Sequence, residues 1–112
     1  MTGLPSQYRL LTNAIEFASQ QHRVISQNVA NVNTPEYKAR TISFEQFLSS
    51  ANTSGSAEFN IEYVQGLPAR NDGNNVDMDR ELANLKKNSL AHQTLTQLLG
   101  SQIGILQRAI SG

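Results

Sequence analysis

The sequence predicts a mainly α fold, in which two long helices near the N- and C-termini pair as an antiparallel coiled-coil-like hairpin. A short helix and a flexible or weakly β loop lie between them. Three observations carry this reading. Apolar residues recur at alternating four- and three-residue steps through both ends of the chain, Pro35 cuts the first pattern off, and the middle third holds no long periodic run.

The first seam is Leu4, Tyr8, Leu11, Ile15, Ala18, His22, Ile25, Val29 and Val32. It places a helix over about residues 6–32, with Pro5 in the first turn and Thr2 or Ser6 as cap. Its end is encoded more firmly than its start. Pro35 has no N–H and a locked φ, and it biases Thr34 toward extended geometry, so a helix arriving from the N-terminal side stops near Val32. Asn31, Asn33 and Thr34 supply side chains for the backbone groups that a terminating helix leaves unpaired. Tyr37 follows the turn as an aromatic anchor that directs the chain after the first helix.

The turn and a short helix occupy 33–50. Ser43-Phe-Glu-Gln46 has the spacing of a capping box ahead of Phe47 and Leu48. Phe44 and Phe47 read as ordinary core filling in a small aromatic cluster. From Ser49 to Gly55 the chain is polar, small and uncharged, and reads as a mobile loop within a flexible middle over 51–75. Asn60 to Val64 alternates weakly and suits a short strand, and Gly66, Pro68 and Asp72-Gly73-Asn-Asn75 punctuate the stretch with turns.

The second helix spans about 77–110. Its seam is Met78, Leu82, Leu85, Ser89, His92, Thr96, Leu99, Ile103, Leu106 and Ile110. Asp77 is the cap, and Asp79 and Glu81 put negative charge in the first turn, where the helix dipole favours it. With the Val32 end beside Met78, residue numbers in register add to about 110, because both helices rise equally per residue. His22 then meets Ser89 and His92 as a polar layer, a device that sets register in coiled coils. The other reading sends both histidines past the seam to water. Gly100 and Gly104 form a small-xxx-small step, which either admits a close helix neighbour or marks a C-terminal segment ordered only by partners.

Composition narrows the function. Nine basic and nine acidic residues cancel, and Lys86-Lys87 is the densest basic spot, so the electrostatic footprint of a nucleic-acid binder is missing. Charged residues make up 16% of the chain, against about 25% in an average protein, and Asn, Gln, Ser and Thr carry much of the polarity instead. No cysteine is present. No stretch has the length and apolarity of a membrane span, and no N-terminal segment reads as a cleaved hydrophobic signal. Two histidines without a seam carboxylate make no ligand set, so no metal, cofactor or small-molecule substrate is expected, and no nucleophile is placed beside an oriented base.

The helix faces decide between the remaining classes. From Tyr8 to Val32 only Arg9, Glu16 and Arg23 are charged, and from Asn88 to Gly112 only Arg108 is. Leu10, Ala14, Phe17 and Val24 lie off the first seam, and Leu90, Leu95, Leu98 and Ile105 lie off the second. Helices patterned this way need neighbours on more than one side, which points to self-assembly or a larger bundle.

SQNVANVNTPEYKAR resembles the N-terminal signature of bacterial flagellar axial proteins, the family of rod and hook subunits. The matching positions are Asn28, Ala30, Asn31, Asn33, Thr34, Pro35, Tyr37 and Lys38. Glu36 departs from the glycine usual there, so either the turn needs no positive φ or it tolerates one at a cost. Ile42-Ser-Phe-Glu45, Asn74-Asn-Val-Asp77, Asp79-Arg-Glu81 and Leu95-Thr-Gln-Leu-Leu99 extend the resemblance to the basal-body proximal-rod members. Distal rod and hook proteins carry β insertions too large for 112 residues.

The resemblance implies a non-enzymatic structural subunit of the bacterial flagellum basal body, with 1–112 as a single rod-core domain that polymerises through its terminal helices. It implies contacts with copies of itself and other rod and basal-body proteins, and passage through the flagellar type III export apparatus to the periplasmic rod without signal cleavage. It implies no membrane insertion. Another proximal-rod subunit, or a soluble helical adaptor forming a discrete bundle, is the alternative.

Overall fold

The computed structural model describes residues 6–54 and 59–111. Five elements follow in order: α1 (Ser6–Ala30), β1 (Arg40–Ile42), α2 (Phe44–Ser54), β2 (Ile61–Tyr63) and α3 (Met78–Ser111). The expectations about Thr2, Leu4, Pro5 and Gly55 fall outside the described residues. The long helices lie side by side, and the molecule measures 64 × 27 × 17 Å.

α1 and α3 run antiparallel in the expected register. Tyr8 Oη donates to the Gln102 carbonyl at 3.0 Å, Asn88 Nδ2 to the Ala18 carbonyl at 2.7 Å, and Asn28 Nδ2 to Glu81 Oε1 at 3.0 Å. The faces differ in detail from the heptad reading. On α1, Tyr8, Ala18 and Ile25 are buried, Leu11, Ile15 and Val29 are half-buried, and His22 is exposed. On α3 the side turned inward is Met78, Glu81, Leu85, Asn88, His92, Leu95, Leu99 and Gln102, whereas Leu82, Ser89, Thr96, Ile103 and Leu106 are exposed.

Every second seam position of α3 is therefore displaced by one residue. At two of these positions the physical reason is polar: the side chains of Glu81 and Asn88 find hydrogen-bond partners on α1, and those bonds outweigh the burial of the adjacent side chain. Among the described residues of α3, only Glu81 is fully buried.

α1 ends at Ala30, two residues before the expected stop, and tightened turns carry the chain to Val32, whose N–H reaches the Val29 carbonyl at 3.2 Å. Next, Tyr37 N donates to the Thr34 carbonyl at 3.2 Å, with Pro35 and Glu36 as the central residues. Glu36 has φ 66°, so the turn is type II with a glutamate where glycine fits best. The choice left open by the sequence is settled: the turn takes the positive φ and tolerates a side chain there.

A Cβ in left-handed geometry costs about 1–2 kcal/mol, and glycine gives back about 0.5–1 kcal/mol through the entropy of the unfolded chain. Glu36→Gly should therefore stabilise the fold by about 0.5–1 kcal/mol, read as a higher urea midpoint. An unchanged or lower midpoint would show that the Glu36 side chain does more than occupy space.

β1 pairs antiparallel with β2, Arg40 opposite Tyr63, Thr41 opposite Glu62 and Ile42 opposite Ile61. The strand over 61–63 lies within the segment expected from the weak alternation. Its partner β1 was not anticipated, because three residues are too few to show a period. α2 starts at the expected cap, with Gln46 N donating to Ser43 Oγ at 3.3 Å, but the box is not reciprocal, since Ser43 N donates to the Asn60 carbonyl at 3.0 Å rather than to the Gln46 side chain. It continues to Ser54, past residue 50 and through most of the stretch expected to be a loop. Once the capped turn is anchored by Phe47, which is 1% exposed, each further residue adds one backbone bond at small cost. Phe47 sits among Phe17, Phe44 and Phe59, with ring centroids 4.8–6.0 Å away. This aromatic cluster fastens α2 to α1.

Candidate functional site

The site that organises the molecule is the junction where α1 ends, β1 begins and α3 starts. Asn28, 1% exposed, lies at its centre. Its Nδ2 donates to the Arg40 carbonyl at 2.9 Å and to Glu81 Oε1 at 3.0 Å, and its Oδ1 accepts from Arg40 N at 3.1 Å and Tyr37 Oη at 3.0 Å. One amide thus exhausts its capacity for hydrogen bonds. Two turns earlier on the same helix, Gln21 Oε1 accepts from Ile42 N at 3.3 Å and Nε2 donates to Thr41 Oγ1 at 3.2 Å. β1 consequently has β2 along one edge and the side-chain amides of α1 along the other. Those amides occupy the place of a third strand and leave no bare edge on that side.

Asn74, fully buried, does the same for the helix end. Its Nδ2 donates to the carbonyls of Asn31 and Thr34, each at 2.8 Å, and its Oδ1 accepts from Val76 N at 2.7 Å. Asn75 Oδ1 accepts from Ala39 N at 2.6 Å. The Arg70 guanidinium donates to the Val32 carbonyl and, at 2.8 Å, to that of Val76, placing positive charge at the C-terminal end of α1, where the dipole favours it. Lys38 Nζ donates to the Gly73 carbonyl, and Glu36 N to the Asp72 carbonyl at 2.9 Å. At Gly73, with φ 83°, a Cβ would fall 2.5 Å from the Glu36 carboxylate, so the two turns interlock.

Asp77 caps α3 as expected, accepting from Arg80 N at 3.3 Å. Of the signature residues, Asn28, Asn31, Thr34, Tyr37 and Lys38 take part through their side chains, while Ala30, Asn33 and Pro35 lie exposed around the turn. Gln21, Arg70, Asn74 and Glu81 contribute equally and were not expected at this site. Asn74 and Glu81 lie in the matched Asn74-Asn-Val-Asp77 and Asp79-Arg-Glu81 motifs, which mark the positions without the role, and nothing in the sequence singles out Gln21 or Arg70.

Burial raises the Tyr37 phenol above its ordinary value of 10.0; the Arg40 guanidinium over its ring opposes the rise, and Glu81 and Tyr63 add to it. A phenol held protonated in the fold adds stability that is present below pH 10 and is lost as pH climbs past the value of the unfolded chain. Tyr37→Phe should therefore cost about 1 kcal/mol at neutral pH, the worth of its bond to Asn28, and its deficit should narrow above pH 10. Urea melts at neutral and alkaline pH test this, and a deficit constant with pH would contradict it.

His22 and His92 do come near one another, with Ala18, Ser19, Asn88 and Ser89, but around an open groove of about 330 Å³ rather than a closed layer. His22 is exposed and His92 half-buried. Among the described residues no three His, Cys, Asp or Glu side chains are grouped to hold a metal ion, and no described helix is long and apolar enough to cross a membrane. Of the small-residue step, Gly100 faces open space, with nothing within 4 Å of a Cβ built there, while a Cβ on Gly104 would meet only the Arg108 guanidinium at 3.9 Å.

No family model matches the chain. Curated relatives do. The chain is 33% identical to the flagellar basal body rod protein FlgB of Aeromonas hydrophila, over 88% of each sequence. It is 31% identical to that of Cereibacter sphaeroides, over 100% of this chain and 99% of the relative, and 27% identical to that of Bacillus subtilis, over 91% of each. An amide-sealed junction after an Asn-Thr-Pro turn, between two helices with open apolar faces, thus coincides with end-to-end likeness to one set of proteins: the chain belongs to the flagellar basal body rod protein FlgB family.

Proposed function

We propose that this protein is a structural subunit of the flagellar basal-body rod that polymerises through its two long helices. The observation that carries this reading is the unburied face of α3. Leu90, Leu98 and Ile105 are 65%, 45% and 52% exposed, on a helix with one charged residue after Asn88. A compact monomer of 12.3 kDa exposes about 6,100 Å², whereas this chain exposes 7476 Å². The excess is of the order that a specific protein interface removes from water. A discrete two-helix adaptor would carry charge on these faces. A polymer former keeps them apolar and covers them with neighbours.

In this reading the junction is the rigid part. It fixes the angle at which the chain leaves α1 and the point at which α3 begins, while the helix faces make the intersubunit contacts. Copies of the chain and other rod and basal-body proteins are the neighbours. Export through the flagellar type III apparatus to the periplasmic rod, without signal cleavage, completes the assignment, and no catalytic role attaches to any residue.

A strain lacking the protein should be non-motile and regain motility with the wild-type chain. Pro35→Ala or Tyr37→Ala should impair rod assembly more than they lower the amount of soluble monomer, measured by swimming and by the yield of purified basal bodies. Normal motility of the deletion strain overturns the rod assignment, and normal motility of both variants overturns the role given to the turn.

A further inference from the structure

Beside the junction, between α1, β1 and the first turns of α3, lies a cleft of about 90 Å³ lined by Gln21, Ile25, Arg40, Thr41, Val64, Arg80, Glu81 and Asn84. By volume it admits about three waters or one carboxylate. Its charges are the point of interest. Arg40 and Arg80 both line it, and among the described residues neither has a carboxylate within ion-pairing distance, the single ion pair there being Arg70 with Asp72 at 3.9 Å.

The Arg40 guanidinium is held in place rather than free. Its carbon lies 5.4 Å from the centre of the Tyr37 ring and 6.0 Å from that of Tyr63, and its main chain is gripped on both sides by Asn28. Its Nε is buried and has no hydrogen-bond partner, the only such side-chain atom among the described residues. A buried donor without an acceptor is rare in folded proteins and costs about 1–3 kcal/mol. Glu81 lines the same cleft but makes no ion pair with Arg40; its Oε1 accepts from Asn28 instead.

We infer that this cleft is a receptor for a carboxylate side chain of a neighbouring subunit. Two guanidinium charges against one Glu81 carboxylate leave a net single positive charge, which a monoanion balances and a phosphate dianion does not. Stacking against the tyrosines engages the faces of the Arg40 fork and burial encloses its Nε, so a planar acceptor would meet the terminal Nη edge, which suits bidentate carboxylate geometry. Gln21, Thr41 and Asn84 add neutral polar groups at the rim. The cleft would thus give the assembly a directional contact, complementing apolar helix faces that specify little about register. The identity of the occupant rests on the rod-subunit reading; the affinity of the cleft for a carboxylate does not.

The test uses acetate on the purified full-length chain, with the arginine Nε–Hε resonances followed by NMR at constant ionic strength, acetate replacing chloride. A saturable displacement of the Arg40 and Arg80 signals is expected. Arg70, whose guanidinium already serves the carbonyls of Val32 and Val76, should not follow. Arg40→Gln should abolish the response at Arg80. Arg80→Gln, at an exposed position and therefore safe for the fold, should weaken the response at Arg40 at least several-fold. No displacement, a non-saturating one, one shared by Arg70, or one unchanged in Arg80→Gln overturns the proposal. All of these are read on the soluble chain, so they stay distinguishable from a failure of the rod assignment, which appears in the motility of the deletion strain.

Discussion

Asn28→Ala should cost about 3–5 kcal/mol of folding stability, the largest effect of any single side-chain truncation in the junction. The substitution removes four hydrogen bonds at once. It strands the peptide groups of Arg40, the Tyr37 hydroxyl and, most expensively, the Glu81 carboxylate, which is 2% exposed and would lose its Asn28 donor. For a domain of this size that is a large fraction of the total stability, so the cooperative urea transition should move close to zero denaturant. Asn28→Asp should fare no better, since it loses both donated bonds and sets a second carboxylate against Glu81. Asn31→Ala is the control. Its side chain bonds the Gln27 carbonyl and Thr34 at exposed positions, and its loss should cost less than about 1 kcal/mol. If Asn28→Ala and Asn31→Ala shift the midpoint equally, Asn28 is not the centre of the junction.

Asn74→Ala should cost about 2–4 kcal/mol, by a different route. Here no charge is stranded. The carbonyls of Asn31 and Thr34 lose their donor at the end of α1, and Val76 N loses its acceptor just before α3. Water replaces part of this only if the junction opens, because Asn74 is fully enclosed. The local signature should be faster amide hydrogen exchange at Val76 and through the last turn of α1, with the aromatic cluster around Phe47 retaining its protection. Uniform loss of protection across the chain would show instead that the junction and the cluster form a single cooperative unit. In the rod assembly proposed above, the same variant should assemble poorly even where the soluble chain survives, since the relative placement of α1 and α3 depends on Asn74 holding both sides of the turn.

Both predictions rest on residues with uneven legibility. Asn28 belongs to a motif visible in the sequence, and Pro35 with its neighbours announces the helix stop. Asn74 belongs to the matched Asn74-Asn-Val-Asp77 motif, but asparagine there reads simply as turn-forming, and nothing local shows that it rather than Asn75 is the one fully buried. The long helices were legible because a heptad pattern averages over many residues, so their pairing and register follow from equal rise along two axes. The face of α3 was legible only by half. Leu85, His92 and Leu99 turn inward as the seam requires, while Leu82, Ser89 and Ile103 give way to Glu81, Asn88 and Gln102. Hydrophobic counting favours leucine over glutamate at such a position, and it fails here because the partner that makes Glu81 tolerable lies more than fifty residues away on α1.

By itself, then, the sequence determined the local and repetitive features: two helices, where the first must stop, the caps at Ser43 and Asp77, and helix faces too apolar for a free hairpin. These rest on steric rules and on periodicities that need no knowledge of the fold. Only the tertiary structure decided which amides become buried, that β1 exists, that Glu36 takes a positive φ of 66°, and that Arg40 is left with an unpaired buried donor. The physical reason is the same in each case. The free energy of a buried polar group is set by the partner that meets it, and at the junction that partner is supplied by a distant part of the chain.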